Sequence, residues 1–222
     1  LQQKRPFLSE FLTAVYPHYN IVIWSATGLK WITTKLREVG VYEPDRKAPI
    51  PPGTDGHLPF GFACLVDKNA MITVESPKYG LVNCKPLGFL WGKFPDHCDP
   101  ERTIMFDDIR RNFLMNPKHG LRIKPCRDLP HTRETDTELR DLTAYLLAIH
   151  EMPSFSTLRH RKWKDFVRTI ISAPEDVLRE AGLDPTVVAN AHSVWRALSR
   201  PAPPRDPAPD PTSDPASDPP PP

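Results

Sequence analysis

Cysteine is scarce in this chain, and the little it has is unpaired. Its 222 residues contain four, Cys64, Cys84, Cys98 and Cys126, spaced 14 to 28 residues apart with no C-x-x-C pair. That spacing argues for reduced thiols rather than a disulfide framework or a zinc site. Long apolar runs are missing too. None approaches the roughly 20 residues of a membrane span, and no signal-peptide pattern opens the sequence. The expectation is a soluble intracellular chain with no membrane contact. Strong charge of one sign is also absent. The formal net charge of +2 falls short of the footprint of a dedicated nucleic-acid binder, so no direct nucleic-acid contact is expected, although a local basic groove stays open. The sequence does not open on Met either. Residue 1 is Leu, in mid-pattern, which reads as a fragment or a processed chain.

Proline is plentiful but uneven, with 11 of the 28 falling in residues 201–222. That stretch has no aliphatic residue larger than Ala. It cannot bury enough apolar surface to offset the entropy of ordering it, so a disordered Pro-rich tail is expected. The tail carries −3, which leaves +5 on a body of about 200 residues, the size of one domain. A second Pro- and Gly-rich stretch, residues 41–62, breaks the pattern of the body and reads as a long surface insertion reaching to about residue 66.

Between these breaks the periodicities alternate. Leu8, Phe11, Leu12 and Val15 have helical spacing, Ile21 to Trp24 is a short apolar run like a buried parallel strand, and Leu29, Ile32, Leu36 and Val39 are helical again, stopped by Gly40. Strand-like runs follow at Ala70 to Val74, Leu81 to Cys84 and Thr103 to Phe106, with turn signals at Pro77 to Gly80 and Pro95 to Pro100. From Asp136 the chain turns helical. Stripes run through Leu139, Leu142, Leu146 and Ile149, then through Trp163, Phe166, Val167 and Ile170, and last through Val187, Ala191, Val194 and Leu198. Asp184 and Pro185 open the last stripe, and Ser172 with Glu175 reads as a capping box before it. Helix, buried strand, helix is half of a doubly wound unit, so the fold class expected is α/β: a Rossmann-like sheet with a β-rich insertion and a helical C-terminus.

Three polar sites fall at the ends of predicted strands, where open α/β sheets place their ligand crevice. They are Ser25, Lys85, and the pair Asp107 and Asp108. A hydroxyl between strand and helix is ordinarily an N-cap, and a lysine beside proline is ordinarily solvated. Adjacent carboxylates repel unless a cation neutralises them. Together the three sites form a phosphoryl-transfer set: hydroxyl and ammonium for phosphate oxygens, paired acids for a hard cation such as Mg²⁺. Receiver domains use a similar set with the acids first and the lysine last. Here the order is Ser, Lys, Asp-Asp, as in haloacid-dehalogenase-like phosphatases.

The stretches Arg5-Pro6, Ile21 to Thr27, Lys85-Pro86-Leu87-Gly88 with Trp91-Gly92-Lys93, Thr103 to Asp108, and Asn112 to Pro117 resemble the FCP/SCP-type phosphatase domain of that superfamily, over about residues 4–170. The resemblance implies a Mg²⁺-dependent protein serine/threonine phosphatase acting through an aspartyl-phosphate. It implies that Ser25 contacts the transferred phosphoryl group, that Lys85 steadies the aspartyl-phosphate, that Asp107 and Asp108 hold the metal, and that Asn112 orients the acidic loop. It also implies a nuclear setting and a phosphoprotein partner bearing phosphoserine or phosphothreonine, either the RNA polymerase II C-terminal domain or a proteasome-associated protein. The domains expected are 1–172 for the phosphatase unit, 173–200 for C-terminal helices and 201–222 for the tail. One departure is large. The family's nucleophile motif, Asp-x-Asp-x-Thr, occurs nowhere in the 222 residues. A chain without it is expected to be inactive as given, and the alternative is a non-catalytic phosphate- or partner-binding protein derived from the same fold. His97 beside Cys98 reads as a surface turn rather than a metal site, and the basic run 159–164 as a solvated helix face.

Overall fold

The computed structural model describes residues 4–43 and 57–199. The 201–222 tail and most of the Pro- and Gly-rich insertion therefore lie outside the described residues. The chain runs α1 (Leu8–Val15), β1 (Val22–Trp24), α2 (Leu29–Glu38), β2 (Cys64–Val66), β3 (Ile72–Ser76), β4 (Gly80–Cys84), α3 (Gly88–Lys93), β5 (Met105–Asp107), β6 (Gly120–Arg122), α4 (Leu129–Thr132), α5 (Glu138–Ile149), α6 (Trp163–Ser172), α7 (Glu175–Glu180) and α8 (Pro185–Ser199). It is a mixed helix and strand fold. The single doubly wound sheet expected from the sequence is not what the described residues form: their strands make three separate pairs, β1 with β2, β3 with β4 and β5 with β6.

Two of those pairs are parallel. In the first, Val22, Ile23 and Trp24 face Cys64, Leu65 and Val66, with α2 in the connection. In the second, Met105, Phe106 and Asp107 face Gly120, Leu121 and Arg122. Both β2 and β6 escape the sequence pattern. Strand β6 has one apolar residue, Leu121, and β2 lies inside the stretch read as insertion, which corrects that reading at its end. The strand at Ile21 to Trp24 was expected to be covered on both faces; all three residues of β1 are only half-buried. The antiparallel hairpin pairs Ile72 with Cys84 and Ser76 with Gly80. Gly80 takes φ 67° to close it, as the Pro77 to Gly80 signal anticipates.

Helices form the larger part of the core. The α5 stripe of Leu139, Leu142, Leu146 and Ile149 is buried as expected, and so are Ala144, Tyr145, Leu147 and Ala148 on its other faces. The cause is packing from more than one side: Phe11, Leu12 and Val15 of α1 join one cluster with α5 and α6, while α6, α7 and α8 close a second over Leu147 and Ala148. Gly40 ends α2 at φ 71°, and the Val41 N–H reaches back to the Leu36 carbonyl. Asp184 caps α8 through Thr186 N–H at 2.7 Å. Ser172 does not act as the cap expected of it. Ser172 belongs to the last turn of α6 and donates its hydroxyl to the Arg168 carbonyl, and α7 starts after Pro174 without a side-chain cap.

A third, smaller cluster positions the polar sites. Val66, Leu87 and Leu90 are buried against Val22, Trp24, Trp91 and Met105. This packing draws α3 onto the strand ends of both parallel pairs, so that the C-terminal ends of β1, β4 and β5 meet.

Candidate active site

Lys85 follows directly on β4, behind the fully buried Cys84. Its ammonium donates to the Trp24 carbonyl at 2.8 Å and to Asp107 Oδ2 at 2.6 Å. With side chains 8% and 10% exposed, Lys85 and Asp107 form an ion pair that water hardly reaches. The solvated lysine that local sequence suggests is therefore not the one observed. Asn112, buried in the turn at residues 110–113, donates Nδ2 to the same Asp107 oxygen at 2.8 Å, while Ile109 N–H reaches Asp107 Oδ1 at 2.8 Å. Burial pushes the Asp107 carboxyl toward its neutral form. The Lys85 hydrogen bond and charge, then Ile109 and Asn112, outweigh it and hold the group below the usual carboxylate range.

Ser25 sits one residue beyond the carbonyl that Lys85 grips, its own N–H bonded to the Val66 carbonyl. Its hydroxyl lies 2.8 Å from Thr27 Oγ1 and accepts from Thr27 N–H at 3.2 Å, and α2 begins at Gly28 with no side-chain cap. The N-cap role is thus not the one taken. Asp108 is half-buried, and no hydrogen bond or ion pair engages its carboxylate among the described residues; its carbonyl accepts from Arg122 Nε at 3.3 Å. The structure therefore gathers Lys85, Asp107 and Asn112 into one hydrogen-bonded cluster, with Ser25 and Asp108 flanking it.

Asn116 is a structural member of this corner to which the sequence pattern gives no role. It is buried, accepts Leu87 N–H at 2.8 Å and donates to the Lys85 carbonyl at 3.2 Å. Both groups belong to the backbone that carries Lys85. A buried amide serving loop backbone has no periodic signature, and only its place in the Asn112 to Pro117 run marks it. Farther out, Arg5 forks onto Asp136 at 2.9 and 3.1 Å and donates to the Lys124 carbonyl, tying the start of the described chain to the approach to α5.

A hard divalent cation fits what these residues offer. Both lone-pair directions of Asp107 Oδ2 are taken by Lys85 and Asn112, but Oδ1 keeps one beside Ile109 N–H, and the Asp108 carboxylate is uncommitted. No third acid, imidazole or thiol joins them among the described residues. Mg²⁺ is commonly held by one or two carboxylates, with waters and phosphate oxygens completing the shell. His97 and Cys98 are not part of any such set: His97 is exposed, and Cys98 Sγ is directed at the Leu90 and Phe94 carbonyls.

Strand ends that bring together a buried lysine, a hydroxyl and adjacent acids suit phosphate chemistry, and part of the chain matches a phosphatase family. Residues 60–156, which hold Lys85, Asp107, Asp108 and Asn112, match the NLI interacting factor-like phosphatase family. Over 167 residues the chain is 47% identical to the ubiquitin-like domain-containing CTD phosphatase of Arabidopsis thaliana, covering 75% of this chain and 45% of that protein. It is 45% identical over 163 residues to ubiquitin-like domain-containing CTD phosphatase 1 of Gallus gallus and over 164 residues to that of Danio rerio, in each case 73% of this chain and 47% of the relative. The chain thus spans less than half the length of the curated relatives it matches. Among the described residues no helix is long and apolar enough to cross a membrane.

Proposed function

We propose that this chain supplies the phosphate-binding and acidic corner of a Mg²⁺-dependent protein serine/threonine phosphatase. The observation that carries the reading is the Lys85 ammonium, bound at once to the Trp24 carbonyl and to Asp107. It joins the ends of β1, β4 and β5 at one point, in the chain order Ser, Lys, Asp-Asp. In this proposal Ser25 donates its hydroxyl to a phosphoryl oxygen, and Lys85 neutralises negative charge as it builds up during transfer. Asn112 and Ile109 N–H hold the Asp107 carboxylate in one orientation. Asp108, with Asp107 Oδ1, would hold Mg²⁺, which when bound supplies positive charge to the phosphoryl oxygens.

The accepting carboxylate is the part this chain lacks, since no Asp-x-Asp-x-Thr occurs in its 222 residues. The covalent route through an aspartyl-phosphate is proposed for a chain that carries such a motif. A nuclear setting and phosphoserine or phosphothreonine in a protein as substrate belong to the same proposal, supported by the CTD phosphatase names of the relatives. The missing motif also favours a second reading, a non-catalytic phosphoprotein-binding unit.

Joining the chain to an upstream Asp-x-Asp-x-Thr strand separates the two. On the first reading phosphopeptide hydrolysis appears, Lys85→Ala lowers kcat about 100-fold or more with no recovery at high Mg²⁺, and Asp108→Asn raises the Mg²⁺ needed for half-maximal rate. Absence of turnover in the joined chain, with phosphopeptide binding retained, supports the second. Full kcat in Lys85→Ala would place the crevice elsewhere.

A further inference from the structure

Around the acidic corner the chain carries three arginines that nothing described so far employs. Arg122 ends β6 directly across from Asp107 in the parallel register. It is exposed, and its Nε at 3.3 Å from the Asp108 carbonyl holds it against the rim of the corner. The remaining four N–H donors of its fork have no acceptor among the described residues. Arg110 and Arg111 follow two and three residues after Asp108, in the turn whose third residue, Asn112, points inward to Asp107. A 3₁₀ turn spaces successive side chains about 120° apart. Asn112 takes the inward position, and Arg110 and Arg111 are both exposed. No carboxylate pairs with any of the three arginines among the described residues, although Asp108 is close by in sequence.

From this arrangement we infer that Arg122, with Arg110 and Arg111, forms a lip that reads a second phosphate on a peptide whose first phosphate occupies the Lys85 corner. The inference rests on the phosphatase reading of that corner and adds a substrate preference to it. Arginine rather than lysine suits the task, because the planar fork matches phosphate oxygens two at a time. A peptide suits the lip better than a polynucleotide. Ile109, 39% exposed, follows Asp108 at the same corner and offers apolar surface to an aliphatic side chain. The +5 of the body is also small for tracking a phosphodiester backbone.

The test is fluorescence anisotropy with the 222-residue chain in EDTA, which needs neither turnover nor metal. Three labelled peptides are compared: one phosphoserine, two phosphoserines, and one phosphoserine with glutamate in the second position, the second group being moved across spacings of two to six residues. At the best spacing the doubly phosphorylated peptide is expected to bind about tenfold tighter than the single one. Arg122→Gln, alone and with Arg110→Gln and Arg111→Gln, should bring that ratio toward one and leave the singly phosphorylated peptide within about twofold of wild type. Arg122→Lys should recover only part of the ratio, which a purely structural role would not require. Equal binding of the single and double peptides, a ratio untouched by the arginine variants, an equal gain from glutamate, or equal displacement by a single-stranded oligonucleotide would each overturn the lip. Failure of the underlying reading looks different: Lys85→Met would leave the affinity for the singly phosphorylated peptide unchanged.

Discussion

Lys85 and Asp107 stand 22 residues apart in sequence and 2.6 Å apart in space, and each is nearly sealed from water. A pair so placed must satisfy its hydrogen-bonding groups internally. Trp24, Asn112 and Ile109 supply the remaining partners. The same bonds join three strand ends that no common sheet connects among the described residues.

Removing one partner should therefore cost more than removing both. Lys85→Met leaves a buried carboxylate facing a methyl group, a change expected to destabilise by about 3 to 5 kcal/mol. Lys85→Met with Asp107→Leu should cost clearly less than the sum of the two single changes, as measured by urea unfolding. Additive single losses would mean that the pair is not coupled. The pH dependence has a definite sign. The folded carboxyl titrates below its unfolded value, so its contribution is complete above about pH 4 and is lost as pH falls through that value and below it.

Asn116 carries a related but neutral load. In Asn116→Ala both the Leu87 N–H and the Lys85 carbonyl lose their side-chain partner while remaining buried. Each unsatisfied group costs about 1 to 3 kcal/mol, so a thermal midpoint lower by at least several degrees is expected. Asn116→Asp keeps the acceptor for Leu87 and should recover part of the loss near neutral pH. A variant as stable as wild type would show that the loop finds other partners.

Legibility in the sequence followed the length of the pattern. The α5 stripe, the α6 stripe with Trp163, Val167 and Ile170, and the Asp184 cap were readable because each repeats a spacing over several turns or uses a local capping rule. Strand β6 holds a single apolar residue, and β2 adjoins Pro- and Gly-rich sequence, so neither stands out as an apolar run. At the site, the residue types at the ends of β1, β4 and β5 were readable, but their partners were not. Lys85 beside Pro86 looks solvated until Asp107 is folded against it. His160 sat in a basic run read as a solvated face, yet it is buried, while its neighbours Arg159, Arg161 and Lys162 are exposed. One residue of a charged run can turn inward wherever a buried hydroxyl waits for it, and here that hydroxyl is Tyr145.

Gly120 tests the packing behind β6. A Cβ built on it would stand 2.5 Å from Cγ of the buried Phe113 ring, closer than side-chain atoms approach without rearrangement. Gly120→Ala is expected to cost about 1 to 3 kcal/mol as an overpacked site. Phe113→Leu in the same chain should return part of that loss, although Phe113→Leu alone destabilises. Chemical denaturation of the two single variants and the double variant measures the coupling; losses that simply add would show that the ring does not meet the new methyl group.

The His160 ring lies 2.7 Å from the Tyr145 hydroxyl, inside the cluster of Trp163 and Phe166 that surrounds Tyr145. Burial, and to a lesser degree the charge of His119, lowers its pKa from 6.5 to about 4. The folded state thus favours the neutral ring. Between these two values the unfolded chain binds a proton that the folded chain does not, so stability must fall as the solution is acidified through that window. It levels off once both states are protonated. A shift of this size amounts to about 3 kcal/mol, lost progressively from near pH 6.5 down to pH 4. His160→Gln places a non-titrating amide beside Tyr145 and should be less stable than wild type at pH 7, but its urea midpoint should decline less steeply with acid across the window. Parallel pH profiles for the two chains would rule out His160 as the group responsible.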